Sequence, residues 1–224
     1  MKYEIIGGNL PAALCKLEAG EAVICEKGAM SWMDDGIEMQ TEGGGLGKMF
    51  GRALSGEAMF VNRYVAHKAG EIAFASCLPG EIRAIEITPG HAVIAQKSSF
   101  LASDESVEYS VHVQKKIGKG LLGGEGFIMQ KFSGSGTVLI EIDGSAKEYV
   151  LNAGERKIID TGYLVMMDET CTMEIEKVKG AKNALLGGEG FFNTVVTGPG
   201  RIILQTIPVG KMAEALYPFM PKSN

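Results

Sequence analysis

A seven-residue motif that recurs along the chain constrains its fold more than any other sequence feature. Residues 121–127 read Leu-Leu-Gly-Gly-Glu-Gly-Phe, and residues 185–191 are identical. A weaker copy, Ala-Leu-Ser-Gly-Glu-Ala-Met, occupies residues 53–59. Self-similarity at a fixed spacing is the signature of an architecture built from repeated units. The motif therefore predicts three units in one chain, although it does not identify a reaction.

A second, independent marker supports the same division. A segment centred on a Gly turn heads each unit, at residues 17–24, 87–94 and 151–158. An acidic turn then follows, at Asp34, Asp104 and Asp168. The markers occur in the same order three times, so we predict three repeats.

The segments between the markers have the pattern of short β-strands. Residues 107–113 alternate apolar and polar side chains, as a half-buried strand does, and residues 172–177 do the same. Short strands are also predicted at 22–26, 92–96 and 157–160. After each Gly-Glu motif, two apolar runs flank a Gly-containing loop, which predicts a hairpin. These predicted hairpins join 59–65 to 71–75, 127–132 to 138–142, and 191–196 to 201–206.

The predicted fold class is all-β, with three pseudo-symmetric β-sandwich repeats around a pseudo-threefold axis. The repeats comprise residues 1–80, 81–144 and 145–210, and no polar linker separates them. A single unit of this size is small to be stable alone, so we expect one packed body. A short helix at 211–217, stopped by Pro218, and a tail complete the segment 211–224.

Charge and cysteine usage limit the function classes. The net charge of −5 weighs against nucleic acid as a partner, because phosphate binding needs a positive surface. Cys15, Cys25, Cys77 and Cys171 lack zinc spacing, and we favour small buried residues over disulfides or a metal. Residues 1–10 lack an apolar signal core, and no run reaches the ~20 apolar residues of a membrane-spanning helix. We expect a cytoplasmic protein, with a peripheral membrane location left open.

No catalytic or cofactor motif is present in the sequence. The Gly-rich stretches match neither a P-loop nor a dinucleotide fingerprint, because the required third Gly or Lys-Ser/Thr is missing. His67, His91 and His112 do not recur between repeats. We therefore predict no catalytic residue, no cofactor, no metal site and no enzymatic activity.

Three glutamates occupy equivalent positions in the motif, namely Glu57, Glu125 and Glu189. Carboxylates gathered near an axis would suit a hard cation such as Mg²⁺ or Ca²⁺. Alternatively, each would accept hydrogen bonds from backbone amides of its own Gly turn, and we favour this second interpretation. Both leave them as candidate binding or interface residues.

Basic and apolar residues precede each motif. The basic candidates are Lys48, Arg52, Lys115, Lys116, Lys119, Lys179 and Lys182. One hypothesis is that these loops contact an anionic partner, which would be a membrane surface, an acidic protein or, as the less favoured choice, nucleic acid. The alternative is that they are solvated loops whose apolar residues point inward.

One apolar cluster, of two methionines and a tryptophan, has two interpretations. Met30, Trp32 and Met33 lie within the segment Gly-Ala-Met-Ser-Trp-Met at 28–33. We favour core packing, and the alternative is an exposed apolar rim for self-association.

Together, the segment 28–34 and the three motif copies resemble the mitochondrial biogenesis family called altered inheritance of mitochondria protein twenty-four. The resemblance covers about residues 3–208. It implies three repeats, each similar to a subunit of the tryptophan RNA-binding attenuation protein, within the double-stranded β-helix class. It also implies self-association, with a trimer favoured. Bacterial and archaeal members have unknown function, and RNA or tryptophan binding does not transfer with the fold.

Two functional hypotheses are favoured, and a third is an unrecognised enzyme, which a cluster of polar side chains found in only one repeat would favour. The first is a non-enzymatic protein that acts through self-assembly and contact with a partner or a membrane surface. The second is a small-ligand or metal-binding β module with a site between repeats.

Overall fold

The computed structural model describes residues 1–40, 61–115, 127–177 and 192–220, and almost all of its elements are β-strands. We divide the strands into three blocks along the chain. The first block holds β1 (Lys2–Ile6), β2 (Ala12–Leu17), β3 (Ala22–Glu26), β4 (Met30–Met33), β5 (Ile37–Gln40), β6 (Val61–Ala66) and β7 (Gly70–Ala75). The second holds β8 (Gly80–Ile87), β9 (Val93–Gln96), β10 (Phe100–Asp104), β11 (Val107–Lys115), β12 (Phe127–Gly134) and β13 (Gly136–Asp143). The third holds β14 (Lys147–Leu151), β15 (Arg156–Asp160), β16 (Leu164–Asp168), β17 (Thr172–Lys177), β18 (Phe192–Thr197) and β19 (Gly200–Leu204), and helix α1 (Val209–Leu216) follows. The predicted all-β fold is confirmed.

The described strands form four antiparallel sheets. Sheet 1 has the order β1-β2-β7-β4, and sheet 2 has the order β5-β6-β3-β10-β13-β8. Sheet 3 has the order β11-β12-β9-β16-β19-β14, and sheet 4 has the order β15-β18-β17. Sheets 2 and 3 each take strands from two blocks, so neighbouring blocks are joined by backbone hydrogen bonds.

The same pairings recur in each block. In the second block, β8 and β10 flank β13, while β9 and β11 flank β12. The corresponding strands of the first block pair in the same way, as do those of the third. Pairing joins the first block to the second through β3 and β10, and the second to the third through β9 and β16. No pairing of described strands joins the third block to the first, and the pseudo-threefold axis stays a prediction.

The four sheets pack on one another through three apolar cores. Core 1 lies between sheets 1 and 2, core 2 between sheets 2 and 3, and core 3 between sheets 3 and 4. Sheets 2 and 3 are therefore covered on both faces. Four consecutive residues are buried in β3, β9, β10 and β16 for this reason. By contrast, β11 has one exposed face and keeps the predicted alternation.

The predicted hairpins are wrong in their pairing, although their strands are present. The strands β12 and β13 follow each other with only Ser135 between them, yet they pair with different partners in different sheets. Likewise, β6 and β7 follow each other closely but lie in different sheets, and so do β18 and β19. A short Gly-containing link serves here as a corner between two packed sheets. The consecutive strands that do pair antiparallel among the described residues are β1 with β2, β5 with β6, β11 with β12, and β17 with β18.

Candidate functional site

The three predicted acidic turns shape the corners between sheets. The carboxylate Oδ2 of Asp104 accepts the backbone N–H of Thr137 at 2.7 Å, and that of Asp168 accepts the N–H of Arg201 at 2.7 Å. Asp34 accepts the N–H of Glu71 at 2.9 Å. Each donor follows the glycine that opens β7, β13 or β19. The predicted acidic turns are therefore structural devices that anchor the start of a strand.

Asp104 also lines a pocket between the first two blocks. Its Oδ1 lies 2.7 Å from the amine nitrogen of Met1. The hydrogen bond from that amine to Asp104 raises the pKa of the amine. The other lining residues are Leu17, Glu21, Ala22, Glu105 and Ser106. Among the described residues, this pocket is the place where a small-ligand site between repeats would lie. The Met1 amine already neutralises the Asp104 carboxylate there.

Glu141 has a carboxyl whose pKa is strongly raised by its surroundings. It lies on β13 between the fully buried Ile140 and Ile142. Burial raises its pKa to about 7, although a hydrogen bond from Ser76 to its Oε2 at 2.8 Å opposes the rise. The Ser76 Oγ also lies 3.1 Å from the carbonyl oxygen of Leu78. A protonated Glu141 can donate to Ser76, which then donates to Leu78, so the neutral acid satisfies all three groups.

Sequence reasoning missed Glu141, although one signal was available. A single carboxyl interrupts the apolar run Val-Leu-Ile-Glu-Ile at 138–142. Such a residue in a strand buried on both faces must be desolvated, and desolvation disfavours its charged form.

Most predicted site residues lie outside the described residues. This applies to Glu57, Glu125 and Glu189, and to the basic candidates Lys48, Arg52, Lys116, Lys119, Lys179 and Lys182. Lys115 is the last residue of β11, where its backbone pairs with Phe127. In chain order, these segments connect β5 to β6, β11 to β12, and β17 to β18. Their roles stay predictions.

The sequence predicted no histidine ligand, and one histidine forms an exposed pair with a carboxylate. His67 Nε2 lies 3.0 Å from Glu38 Oε2 in an exposed pair. Within the described ranges, no group of three or more His, Cys, Asp or Glu side chains could hold a metal ion. Cys15, Cys25 and Cys171 are buried as predicted, but Cys77 is exposed, which corrects the prediction for that residue. Burial raises the pKa of the Cys15 and Cys25 thiols to about 12.

The exposed apolar side chains are concentrated at the two ends of the block series. In the first block they are Tyr3, Ile5, Ile6, Leu10, Trp32, Met33 and Met39. In the third block and the C-terminal segment they are Val150, Ile158, Ile207, Val209, Leu216, Tyr217, Phe219 and Met220. The described part of the second block exposes no large apolar side chain. The first and third blocks thus expose apolar side chains, whereas the second block is joined to a neighbouring block on each side.

Trp32 belongs to this exposed set, which makes the favoured prediction of core packing wrong for it. It lies on the outer strand β4 and is 49% exposed. Its neighbour Met33 is 37% exposed. Because β4 pairs with β7 alone among the described strands, no further strand covers these side chains. Their position fits the alternative of an exposed apolar rim.

Helix α1 lies beside the other end of the series. Its Lys211 Nζ is 3.5 Å from Asp160 Oδ2, at the end of β15. None of its residues is buried. In the part of the chain that the structure describes, no helix is long and apolar enough to cross a membrane.

Comparison with known proteins matches this chain to one family. The family model described as Mitochondrial biogenesis AIM24 matches residues 3–207. This chain belongs to that family. The resemblance inferred from the motifs at 28–34, 121–127 and 185–191 is therefore confirmed.

Two streptococcal proteins show how far the AIM24 likeness extends. An uncharacterized protein of Streptococcus pyogenes serotype M6 is 31% identical over 226 residues, which cover 96% of this chain and 89% of that protein. A Streptococcus pyogenes protein of known crystal structure superposes with a TM-score of 0.82 at 26% identity. That match covers 98% of this chain and 99% of the other. The AIM24 likeness therefore extends through the whole arrangement of sheets, and neither relative has an assigned activity.

Proposed function

We propose that this chain is a non-enzymatic assembly protein that works by associating with copies of itself and presenting a contact surface to a partner. The supporting observation is the distribution of exposed apolar side chains, which lie on the first block, the third block and the C-terminal segment, and not on the described part of the second block. Apolar surface left at the ends of a series is typical of a surface that another molecule covers. We propose a cytoplasmic location, which the four free cysteines support.

A non-enzymatic role agrees with the surroundings of Glu141, whose pKa is strongly raised. Glu141 interacts with Ser76 and with the adjoining turn, and both of its chain neighbours, Ile140 and Ile142, pack in core 2. Its raised pKa therefore reflects burial in the fold and not exposure to a substrate cleft.

Mass in solution tests the assembly proposal directly. Sedimentation velocity and light scattering across micromolar to tens-of-micromolar concentrations should give a mass above the 23.8 kDa of one chain. The mass should fall on dilution, with a trimer as the favoured species. A single chain mass at every concentration would overturn the proposal.

The second part of the proposal assigns the partner contact to the basic segments identified in the sequence. An anionic membrane surface is the proposed partner, because each of these segments combines basic residues with apolar ones. Vesicles containing phosphatidylserine should retain more protein in a flotation assay than vesicles of phosphatidylcholine alone. The triple variant Lys115→Glu, Lys116→Glu and Lys119→Glu should lose this difference.

A matched control distinguishes this contact from general charge attraction. Lys2, Lys16 and Lys147 are exposed on β1, β2 and β14, so the triple variant Lys2→Glu, Lys16→Glu and Lys147→Glu reverses the same number of charges elsewhere. This control should float as the unmodified protein does. Equal retention on both vesicle types by the unmodified protein would exclude the membrane contact.

A further inference from the structure

Two joints within the chain show how one block attaches to the next. At the first joint β3 pairs with β10, and the opposed residues are Val23 with Asp104, Ile24 with Ser103, and Cys25 with Ala102. At the second joint β9 pairs with β16, and the opposed residues are Val93 with Asp168, Ile94 with Met167, and Ala95 with Met166. Both joints are antiparallel and have the same register relative to the Asp that ends the second strand.

A third pair of edges of the same kind is not used between the strands that the structure describes. The strand β15 follows a Gly turn and pairs with β18, as β9 pairs with β12. The strand β4 ends before Asp34 and pairs with β7, as β10 pairs with β13. The same one-residue bulge interrupts the pairing of β4, β10 and β16. Among the described strands, the other edge of β15 and the other edge of β4 have no partner strand.

One isoleucine in each joint enters the core of the following block. Ile24 of β3 is 8% exposed and packs in core 2, and Ile94 of β9 is 1% exposed and packs in core 3. Ile158 has the same place in β15, four residues after its Gly turn, as Ile24 and Ile94 have after theirs. It is 67% exposed. The third block therefore presents an apolar side chain whose two counterparts are buried by a neighbouring block.

We propose that β15 of one copy pairs antiparallel with β4 of a second copy, and that Ile158 thereby enters core 1 of that second copy. This inference rests on the proposed self-assembly and specifies its interface. The register of the two internal joints places Ile158 opposite Met33. It also places Ile159 opposite Trp32, and Lys157 opposite Asp34.

Three properties of the two edges support this pairing. Met33 lies in the same cross-strand row as Ile72 and Cys15, both in core 1, so an adjacent Ile158 would reach that core. The exposed Trp32 would cover Ile159, which already lies in core 3. Lys157 and Asp34 carry opposite charges. An open strand edge is also a template for a strand from another chain.

The two paired surfaces differ, so the contact is heterologous. Such contacts build rings when the rotation between copies closes and filaments when it does not. Each copy uses the edge of β15 for its contact with one neighbouring copy and the edge of β4 for its contact with another. Blocking one edge should therefore leave the other functional.

Complementation between two blocked variants tests this property. Ile158→Asp disables the β15 edge, and Met33→Asp disables the β4 edge. Each variant alone should bind itself at least about tenfold more weakly than the unmodified chain, because a carboxylate replaces an apolar contact at the centre of the interface. An equimolar mixture should form a dimer through the two intact edges. The control Val150→Asp changes another exposed residue of the third block, and it should assemble normally.

Disulfide trapping tests the register without relying on the charged variants. In a background carrying Cys77→Ser, chains with Met33→Cys are mixed with chains with Ile158→Cys and mildly oxidised. Opposed residues in an antiparallel pair have Cβ atoms about 4.5–5.5 Å apart, which is close enough for a disulfide after a small adjustment. A mixed dimer should form rapidly. Chains with Met39→Cys, exposed on β5, should not link to Ile158→Cys.

The outcomes separate this inference from the assembly proposal. An unmodified chain that stays monomeric overturns both. An unmodified chain that assembles, while Ile158→Asp assembles equally well and no mixed disulfide forms, overturns only the edge pairing. A disulfide formed within single chains carrying both Met33→Cys and Ile158→Cys would show that the edges close on each other in one molecule, which also overturns it.

Discussion

The carboxylate of Asp104 accepts the backbone N–H of Thr137 across 33 residues of chain, at 2.7 Å. Asp168 holds Arg201 across the same separation and at the same distance. Each bond joins the end of one strand to the start of another in the same sheet, next to a glycine that leaves room for the aspartate. The same contact between an aspartate and the residue after a glycine is thus present in each block.

Removing the Asp104 carboxylate should destabilise the protein. Asp104→Ala leaves the buried Thr137 N–H without its acceptor and removes the partner of the Met1 amine. We expect the free energy of unfolding to fall by about 2 kcal/mol, the usual cost of an unsatisfied buried donor. Denaturant unfolding followed by circular dichroism measures this change. The control Asp35→Ala removes a fully exposed carboxylate paired with Lys68, and its unfolding midpoint should not move. Equal effects of the two variants would contradict this role for Asp104.

The glycine facing Asp104 should not tolerate a side chain. Gly136 has a φ of +139°, and an added Cβ would lie 2.9 Å from the Asp104 Cβ. Gly154 also has a positive φ, of +77°, but its Cβ would have no neighbour within 4 Å. We expect Gly136→Ala to cost about 2–4 kcal/mol and Gly154→Ala about 1 kcal/mol, because only the first adds a clash to the backbone strain. Thermal unfolding of the two variants compares them, and an equal loss would show that the contact with Asp104 is unimportant.

Glu141 should make stability fall as the pH rises. Burial raises its pKa from 4.5 to about 7, so the folded state binds a proton that the unfolded state has already released. The resulting stabilisation is complete below about pH 4.5 and is lost as the pH rises through 7. We expect a loss of about 2 kcal/mol between pH 5 and pH 8.

Comparison with Glu141→Gln isolates this contribution. The neutral amide cannot ionise, so the variant should lack this part of the pH dependence, while all other titrating groups remain. Urea unfolding at a series of pH values provides the measurement. The variant Glu108→Gln, on the exposed face of β11, should keep the full dependence. A profile for Glu141→Gln that parallels the unmodified protein would show that another group is responsible.

Local pattern predicted strands well wherever one face of a sheet meets solvent. The alternation at 107–113 identified β11, and the run at 172–177 identified β17. Strands such as β16, with Val165 and Met166 in one core and Met167 in another, have no period of two, because sheets cover both faces. Periodicity therefore could not reveal them.

Strand pairing was harder to predict than strand position. The link from β12 to β13 has the composition of a hairpin turn, but the partners of these strands lie elsewhere in the chain. Pairings such as β9 with β16 join two blocks and have no local signal. Trp32 was expected in the core because it lies in an apolar segment, whereas it is exposed on β4, an outer strand among the described ones.

The repeated register of the two internal joints also bears on how such a chain can change length. A block that accepts a neighbour through β10 offers the next one an equivalent edge through β9, so residues 81–144 carry both halves of the connector. Duplicating the coding sequence of this stretch would add one block to the chain, and deleting it would remove one block. Neither change would require a new type of contact between blocks. The architecture is therefore open to growth by whole blocks, since each added block would be joined by a pairing that the chain already uses twice.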